Sequence, residues 1–195
     1  MQHTNLILAS TSIYRKALLN KLAIPFTALD PQCDETPLPN ESAQQLVTRL
    51  ARIKAQSCQL DLTKTNIVIG SDQVCIIDDE IIGKPLNRAN AITQLSRSNG
   101  RSITFYTGIA VYNSTTNQCD VELDTFIVRF RKLSPSQIEN YVDKEQPFYC
   151  AGSFKSEGLG IALFERLEGN DPNSLIGLPL ITLINMLEKQ GIAIL

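Results

Sequence analysis

A carboxylate lies three residues beyond a run of β-branched residues in the first half of the chain. Residues 67–69, Ile-Val-Ile, predict a buried strand that Gly70-Ser71 is expected to end, which leaves Asp72 at the strand end. An isolated carboxylate among apolar residues is costly to bury unless it is paired, protonated or bound to a cation. Asp72 is therefore a candidate for chemistry, and a structural partner such as Lys84, fixed in Gly83-Lys84-Pro85, is the alternative.

Hydroxyl and basic side chains follow the first predicted strand. Ser10-Thr11-Ser12 are candidate helix N-caps, and Arg15 and Lys16 fall in the first turn of the helix that they open. Backbone N–H groups and the helix dipole favour an anion at such a terminus, and basic side chains there oppose the dipole unless an anion offsets them. The pattern indicates a phosphate site, with plain capping and solvated charges as the alternative.

Acidic side chains between prolines and a helical lysine give weaker signals. Asp34, Glu35 and Glu41 lie in a Pro-rich loop, where acids are usually just exposed. Lys54 falls on the helix that follows, and a lysine on a helix surface more often faces solvent than a ligand.

A glycine-rich segment later in the chain suggests a shaped loop over a ligand. Residues 150–161, CAGSFKSEGLGI, surround Lys155 and Glu157 with glycines and serines. An ordinary surface loop is the alternative interpretation.

Composition restricts which chemistry these groups can perform. The 195 residues include one histidine, His3, and five scattered cysteines with no CxxC pair. Ser-His-Asp and Cys-His sites and His-ligated zinc or iron are therefore improbable, and reduced, inert thiols are expected. Carboxylates, lysines and a hard, oxygen-preferring divalent metal remain for hydrolysis.

Charge and hydropathy restrict location and partners. The net charge of −2 gives no reason to expect a nucleic-acid polymer or an anionic membrane as partner. No apolar stretch is long enough for a secretory signal or a membrane span, so a soluble, cytoplasmic protein is expected.

Helical and strand patterns alternate at first and then include an antiparallel pair. Strands are predicted at 5–9, 26–29, 67–69, 103–112 and 121–130, with a hairpin turn at Asp78-Asp79. Helices are predicted from Ser42, Asn87 and Ser134, and a last one over 174–189. The fold class is α/β with a mixed twisted sheet and flanking helices, in a single domain spanning 1–195.

Several motifs in order give the chain a specific resemblance over nearly its whole length. It resembles the Maf family of nucleoside triphosphate pyrophosphatases through LILASTSIYRKALL (6–19), DET (34–36), RLARIKA (49–55), GSDQV (70–74), GKPL (83–86), YTG (106–108), CAGSFKSEGLGI (150–161) and GLPL (177–180). The resemblance implies an elongated, two-lobed, ITPase-like fold with a central cleft, often assembled as a homodimer.

The resemblance also implies a reaction and roles for the candidate residues. Water attacks the α-phosphorus and releases a nucleoside monophosphate and pyrophosphate, with Mg²⁺ or Mn²⁺ as cofactor. Asp72 is expected to be the proton acceptor and to contact the metal with Glu35, although the division of roles between the two acids stays open. The phosphate groups are expected to meet four residues, Lys54, Lys84, Ser10 and Arg15, so that Lys84 returns to the Asp72 site.

Three departures from the commonest family pattern bear on the base. Ser12-Ile13-Tyr14-Arg15 replaces Ser-Pro-Arg-Arg, Ser71-Asp72-Gln73 replaces Ala-Asp-Thr, and Glu157 replaces a usual Gln. This combination resembles the branch that hydrolyses 7-methyl-GTP and so removes modified nucleotides from the pool. Tyr14 could stack on the cationic base, Glu157 could accept from its N1–H and amine, and Gln73 would complete the set.

Other functions remain open at this point. The same chemistry could serve dTTP and UTP or a broad set of modified nucleotides. A nucleotide-binding regulator of septum formation is a second class, but a pure binder has no use for a water-orienting Asp72. A structural module whose acids are only paired would show no metal-dependent activity.

Overall fold

The computed structural model describes residues 4–61 and 63–195, so His3 lies outside the described residues. The strands are β1 (Thr4–Ala9), β2 (Thr27–Leu29), β3 (Thr65–Ile77), β4 (Glu80–Ile82), β5 (Ser102–Asn113), β6 (Gln118–Phe130) and β7 (Phe164–Glu168). The helices are α1 (Ile13–Asn20), α2 (Ala43–Gln56), α3 (Arg88–Ser98), α4 (Pro135–Glu145) and α5 (Leu180–Lys189). Short 3-10 helices lie at Ala151–Ser153, Leu159–Leu163 and Pro172–Ile176.

The strands form one mixed sheet in the order β2-β1-β3-β5-β6-β7, with β4 paired to β3. β1 runs parallel to both β2 and β3, whereas β4 runs antiparallel to β3 and β7 antiparallel to β6. Asp78 and Asp79 form the turn between β3 and β4 with φ of 54° and 63°, the left-handed backbone that tight hairpins require. The α/β class, the mixed sheet and this hairpin are confirmed.

Serine and asparagine side chains begin the predicted helices. Ser42 and Ser134 each form a capping box, with Gln45 and Gln137 respectively, at the starts of α2 and α4. Asn87 caps α3 through the Asn90 N–H. These local signals were predicted from the sequence because capping involves residues only three positions apart.

The chain divides into two compact units. The first comprises residues 1–72, 107–124 and 177–195, and the second comprises 73–106 and 125–176. The core of the first unit includes Ala51 and Ala55 of α2, Val68 of β3 and Ala110 of β5. These small side chains allow α2 to pack close to the strands.

The core of the second unit is rich in aromatic side chains. Phe105, Phe130, Phe154 and Phe164 pack edge to face with ring centroids 4.8 to 5.7 Å apart. Buried apolar residues of α3 and α4 complete this cluster, among them Leu95 and Ile138.

Three elements differ from the sequence-based prediction. β3 does not end at Gly70 but continues to Ile77, so Asp72 lies inside a strand rather than at its end. α5 begins at Leu180 instead of 174, because Gly177 has a φ of 107° and Pro179 follows it. β7 was not predicted, since its sequence FERLE carries little of the strand pattern.

Within the described residues, no helix is both long and apolar enough to cross a membrane.

Candidate active site

A lysine ammonium joins two carboxylates in the first unit. Lys54 Nζ lies 2.7 Å from Asp72 Oδ1 and 2.9 Å from Glu35 Oε2. The side chains of Lys54 and Asp72 are only 7% and 12% exposed, whereas that of Glu35 is 57% exposed. The structure therefore brings together three of the predicted residues, with a buried pair at the base and an accessible acid above it.

The packing of α2 against β3 explains why Lys54 reaches Asp72. A Cβ on Gly70 would lie 2.1 Å from the Ala51 carbonyl oxygen, so glycine permits the helix backbone to approach the strand. Asp72 is two residues along the strand and therefore points to the same face as Gly70, the face that α2 covers. Lys54, on the turn after Ala51, then lies within hydrogen-bond reach of Asp72.

The loop that carries Glu35 is fastened to α2 by an arginine. Arg49 forms a two-point ion pair with Glu41, at 2.6 and 2.8 Å, and also donates to the Thr36 carbonyl at 3.1 Å. Hydrogen bonding from Arg49 lowers the pKa of Glu41 to about 2. Asp34 accepts from both the N–H and the hydroxyl of Thr36, which shapes the turn that contains Glu35.

The start of α1 combines hydroxyl groups with a half-buried arginine. Ser12 is the N-cap, accepting from the Arg15 N–H, and the buried Ser10 hydroxyl accepts from the Ser12 N–H. Arg15 Nε donates to the Gly177 carbonyl at 2.8 Å. Burial lowers the pKa of Arg15, while Asp72 and Glu35 act in the opposite direction. Both carboxylates are thus close enough to influence this guanidinium.

Ser71 and Gly177 were not identified as site residues from the sequence, although both lie in the quoted motifs. The Ser71 hydroxyl is within hydrogen-bond distance of the Gly108 and Gly177 carbonyls, at 2.9 and 2.8 Å. The Gly177 carbonyl therefore meets both Arg15 and the residue that precedes Asp72. The sequence offered one signal for Ser71, a polar residue that directly follows an apolar, strand-forming run.

The other predicted site residues are divided between the two units. Tyr14, in the first turn of α1, is half-buried in the first unit. Gln73, Lys84 and Glu157 belong to the second unit, where Gln73 Nε2 donates to the Ser174 carbonyl at 2.5 Å and the other two are exposed. The expectation that Lys84 returns to Asp72 stays a prediction.

The cysteines have the properties expected of inert thiols. All five are free, and Cys58 and Cys75 are buried. Burial raises the pKa of Cys33, Cys58, Cys75 and Cys119, which disfavours the reactive thiolate.

The donor set around Lys54 fits a small divalent cation. Asp72 and Glu35 offer hard carboxylate oxygens, and Mg²⁺ is usually bound by one or two carboxylates completed by phosphate oxygens and water. No group of three or more His, Cys, Asp or Glu suited to a metal occurs among residues 4–61 and 63–195.

The chain is similar to known proteins over nearly its whole length. The family model described as "Maf-like protein" matches residues 5–190. The chain is 63% identical to a protein of Vibrio vulnificus (strain CMCP6) and 58% identical to one of Vibrio cholerae serotype O1 (strain ATCC 39315 / El Tor Inaba N16961), covering all of each, and both are named "7-methyl-GTP pyrophosphatase". A HAM1 protein from Coxiella burnetii has a similar structure, with a TM-score of 0.50 and 14% identity over 96% of this chain and 100% of that one.

Proposed function

Because the chain belongs to the Maf-like family, we propose that it hydrolyses 7-methyl-GTP to 7-methyl-GMP and pyrophosphate. Full-length relatives at 58% to 63% identity carry the name of this activity. The structural observation that carries the proposal is the buried Lys54–Asp72 pair with Glu35 on the same ammonium.

Asp72 is the proposed proton acceptor. A water molecule attacks the α-phosphorus, its proton passes to Asp72, and the bond from the α-phosphorus to the bridging oxygen breaks with its electrons leaving on pyrophosphate. A carboxylate can take this role only if it is held in place. Lys54 of α2 does this, because its Nζ donates to Asp72 Oδ1 at 2.7 Å.

Cationic side chains of the first unit would offset the charge of the phosphates. Lys54 is buried and Arg15 is half-buried, and fixed positive charge that is shielded from solvent acts more strongly than in water. The Ser10 hydroxyl and the N-terminus of α1 would add donors. We assign Lys84 of the second unit to the same task.

Asp72 and Glu35 would hold the divalent cation, Mg²⁺ or Mn²⁺. When bound, such an ion neutralises phosphate oxygens and makes the phosphorus easier to attack. The Glu35 side chain is 57% exposed, so its carboxylate would be accessible to such an ion.

Recognition of the methylated base is assigned to Tyr14, Gln73 and Glu157. The N7-methylated guanine is cationic, which favours stacking on the Tyr14 ring. The Glu157 carboxylate can accept from the guanine N1–H and amine, a donor pair that uracil and thymine lack.

Pyrophosphate release from a panel of nucleotides tests the proposal. Purified protein with Mg²⁺, Mn²⁺ or chelator is given 7-methyl-GTP, GTP, dTTP, UTP or CTP. Asp72→Asn is expected to lower kcat by at least about a hundredfold, as loss of a general base commonly does. Asp79→Asn is the matched control, because the change is the same and Asp79 lies in the exposed turn between β3 and β4.

The outcomes separate the parts of the proposal. Preference for dTTP or UTP, lost in Asp72→Asn, would keep the mechanism and refute the assigned base. Activity that survives chelation would refute the metal. No turnover by the folded protein would refute the enzyme and favour a nucleotide-binding regulator.

A further inference from the structure

The carboxylate of Glu145 fastens the glycine-rich loop of the second unit at two points. Glu145, the last residue of α4, accepts from the Leu159 N–H at 2.8 Å through Oε2 and lies 3.2 Å from Lys155 Nζ through Oε1. The ammonium also donates to the Glu145 backbone carbonyl at 2.9 Å. Both side chains are mostly buried, at 18% and 24% exposure, so this is an internal connection and not a solvated surface pair.

The turn between these anchor points is tight and depends on glycine. The N–H groups of Gly158 and Gly160 both donate to the Lys155 carbonyl, at 3.2 and 3.1 Å. A Cβ on Gly158 would lie 3.0 to 3.2 Å from the Glu145 carboxylate, and one on Gly160 would lie 2.2 Å from the Lys155 carbonyl oxygen. The backbone of residues 155–160 is thus shaped around the Glu145 side chain.

Glu157 lies midway between the two anchors, two residues after Lys155 and two before Leu159. Its side chain is exposed, while Glu145 is neutralised inside the turn by Lys155. The backbone that carries Glu157 is therefore held on both sides by contacts with Glu145.

We propose that Glu145 is a positioning residue that sets selectivity for the methylated guanine by holding Glu157 in place. The inference rests on the base-recognition role proposed for Glu157. A carboxylate that must meet two donors of one base edge has to be held in place, and a flexible turn would lose that discrimination while still permitting hydrolysis.

The test is selectivity, measured as kcat/KM for 7-methyl-GTP divided by kcat/KM for UTP. Glu145→Ala is expected to lower this ratio roughly tenfold, about the effect of one lost charged hydrogen bond. The change should appear in KM for 7-methyl-GTP, with kcat for UTP unaltered. Glu145→Gln retains an acceptor for the Leu159 N–H and should keep most of the ratio. Glu139→Ala, at an exposed position of the same helix, is the matched control.

A double variant shows whether Glu145 acts through Glu157. In a Glu157→Gln background, Glu145→Ala should produce no further loss of selectivity, and hydrogen exchange over residues 155–160 should be faster in both Glu145→Ala proteins. Should Glu145→Ala fail to fold, Lys155→Met supplies the same comparison, with the same direction expected.

The results distinguish this inference from the function on which it rests. If Glu157→Gln lowers the ratio and Glu145→Ala does not, or if the two effects multiply independently, the positioning role is wrong and the proposed function stands. If Glu157→Gln leaves the ratio at the wild-type value, the base-recognition role fails and the inference fails with it.

Discussion

Replacing Lys54 by methionine should destabilise the protein by leaving a buried carboxylate without its partner. Methionine retains much of the apolar stem but removes the ammonium that lies 2.7 Å from Asp72. Asp72 as a whole residue is 8% exposed. Its carboxylate would have to remain charged without its nearest cation or take up a proton, and both states cost free energy.

The size of the effect follows from the burial of each contact. Breaking a buried ion pair by removing one partner costs about 3–5 kcal/mol, and we expect about 3 kcal/mol, because Arg15 remains close enough to interact with Asp72. The contact to Glu35 adds little, since Glu35 is 57% exposed and its charge is screened by solvent. At roughly 2–4 °C per kcal/mol for a chain of this size, Tm should fall by about 6–12 °C.

Chemical denaturation of four proteins provides the assay: wild type, Lys54→Met, Asp72→Asn and the double variant. The double variant should be more stable than Lys54→Met, because Asp72→Asn removes the uncompensated charge. Lys64→Met is the control, since Lys64 is 51% exposed and its ion pair with Asp61 should contribute less than about 1 kcal/mol. Additive effects in the double variant, or a Lys54→Met protein as stable as the control, would refute the reasoning.

Two further predictions concern the elements around this pair. Gly108→Ala should lower the free energy of unfolding by about 3 kcal/mol in chemical denaturation, because the added Cβ would lie 2.2 Å from the Val47 carbonyl oxygen of α2. Gly83→Ala is the control and should change the free energy little, because no atom lies within 4 Å of its added Cβ. Equal effects of the two changes would contradict the packing argument. The pKa of Glu41 falls from 4.5 to about 2 through Arg49, so its stabilisation is present above pH 4.5 and lost as the pH falls through 2. The Tm of Glu41→Gln should therefore lie below that of the wild type at pH 4.5 and above, and this difference should shrink as the pH is lowered from 4.5 to 2. A difference that does not change with pH would show that the ion pair does not cause it.

Local patterns were predictable from the sequence, and contacts between distant segments were not. The helix starts at Ser42 and Ser134 and the turn at Asp78-Asp79 were predicted correctly, because each depends on neighbouring residues. Gly70 was interpreted as the end of a strand, whereas its lack of a side chain serves the approach of α2, which no local pattern encodes.

The candidate site shows the same division. Asp72 was singled out because a carboxylate among apolar residues is conspicuous. Lys54 was a weak signal by its position on a helix and was given a role only through the family resemblance. As a whole residue it is 5% exposed, and this burial depends on how deeply the helix packs. Glu145 gave no signal, because its contacts are with residues 10 and 14 positions away.

The two acids that contact Lys54 are held by different kinds of structure, and this affects how the protein could evolve. Asp72 is part of a long strand beneath α2, so the sheet fixes the position of its backbone. Glu35 lies on an exposed loop fastened at Thr36 and Glu41 by one arginine. Under the proposed function, insertions or substitutions in that loop can therefore alter how the site would meet a divalent ion while leaving the sheet unchanged. Laboratory selection for a different metal preference should accumulate changes in residues 30–41 and leave the strand untouched.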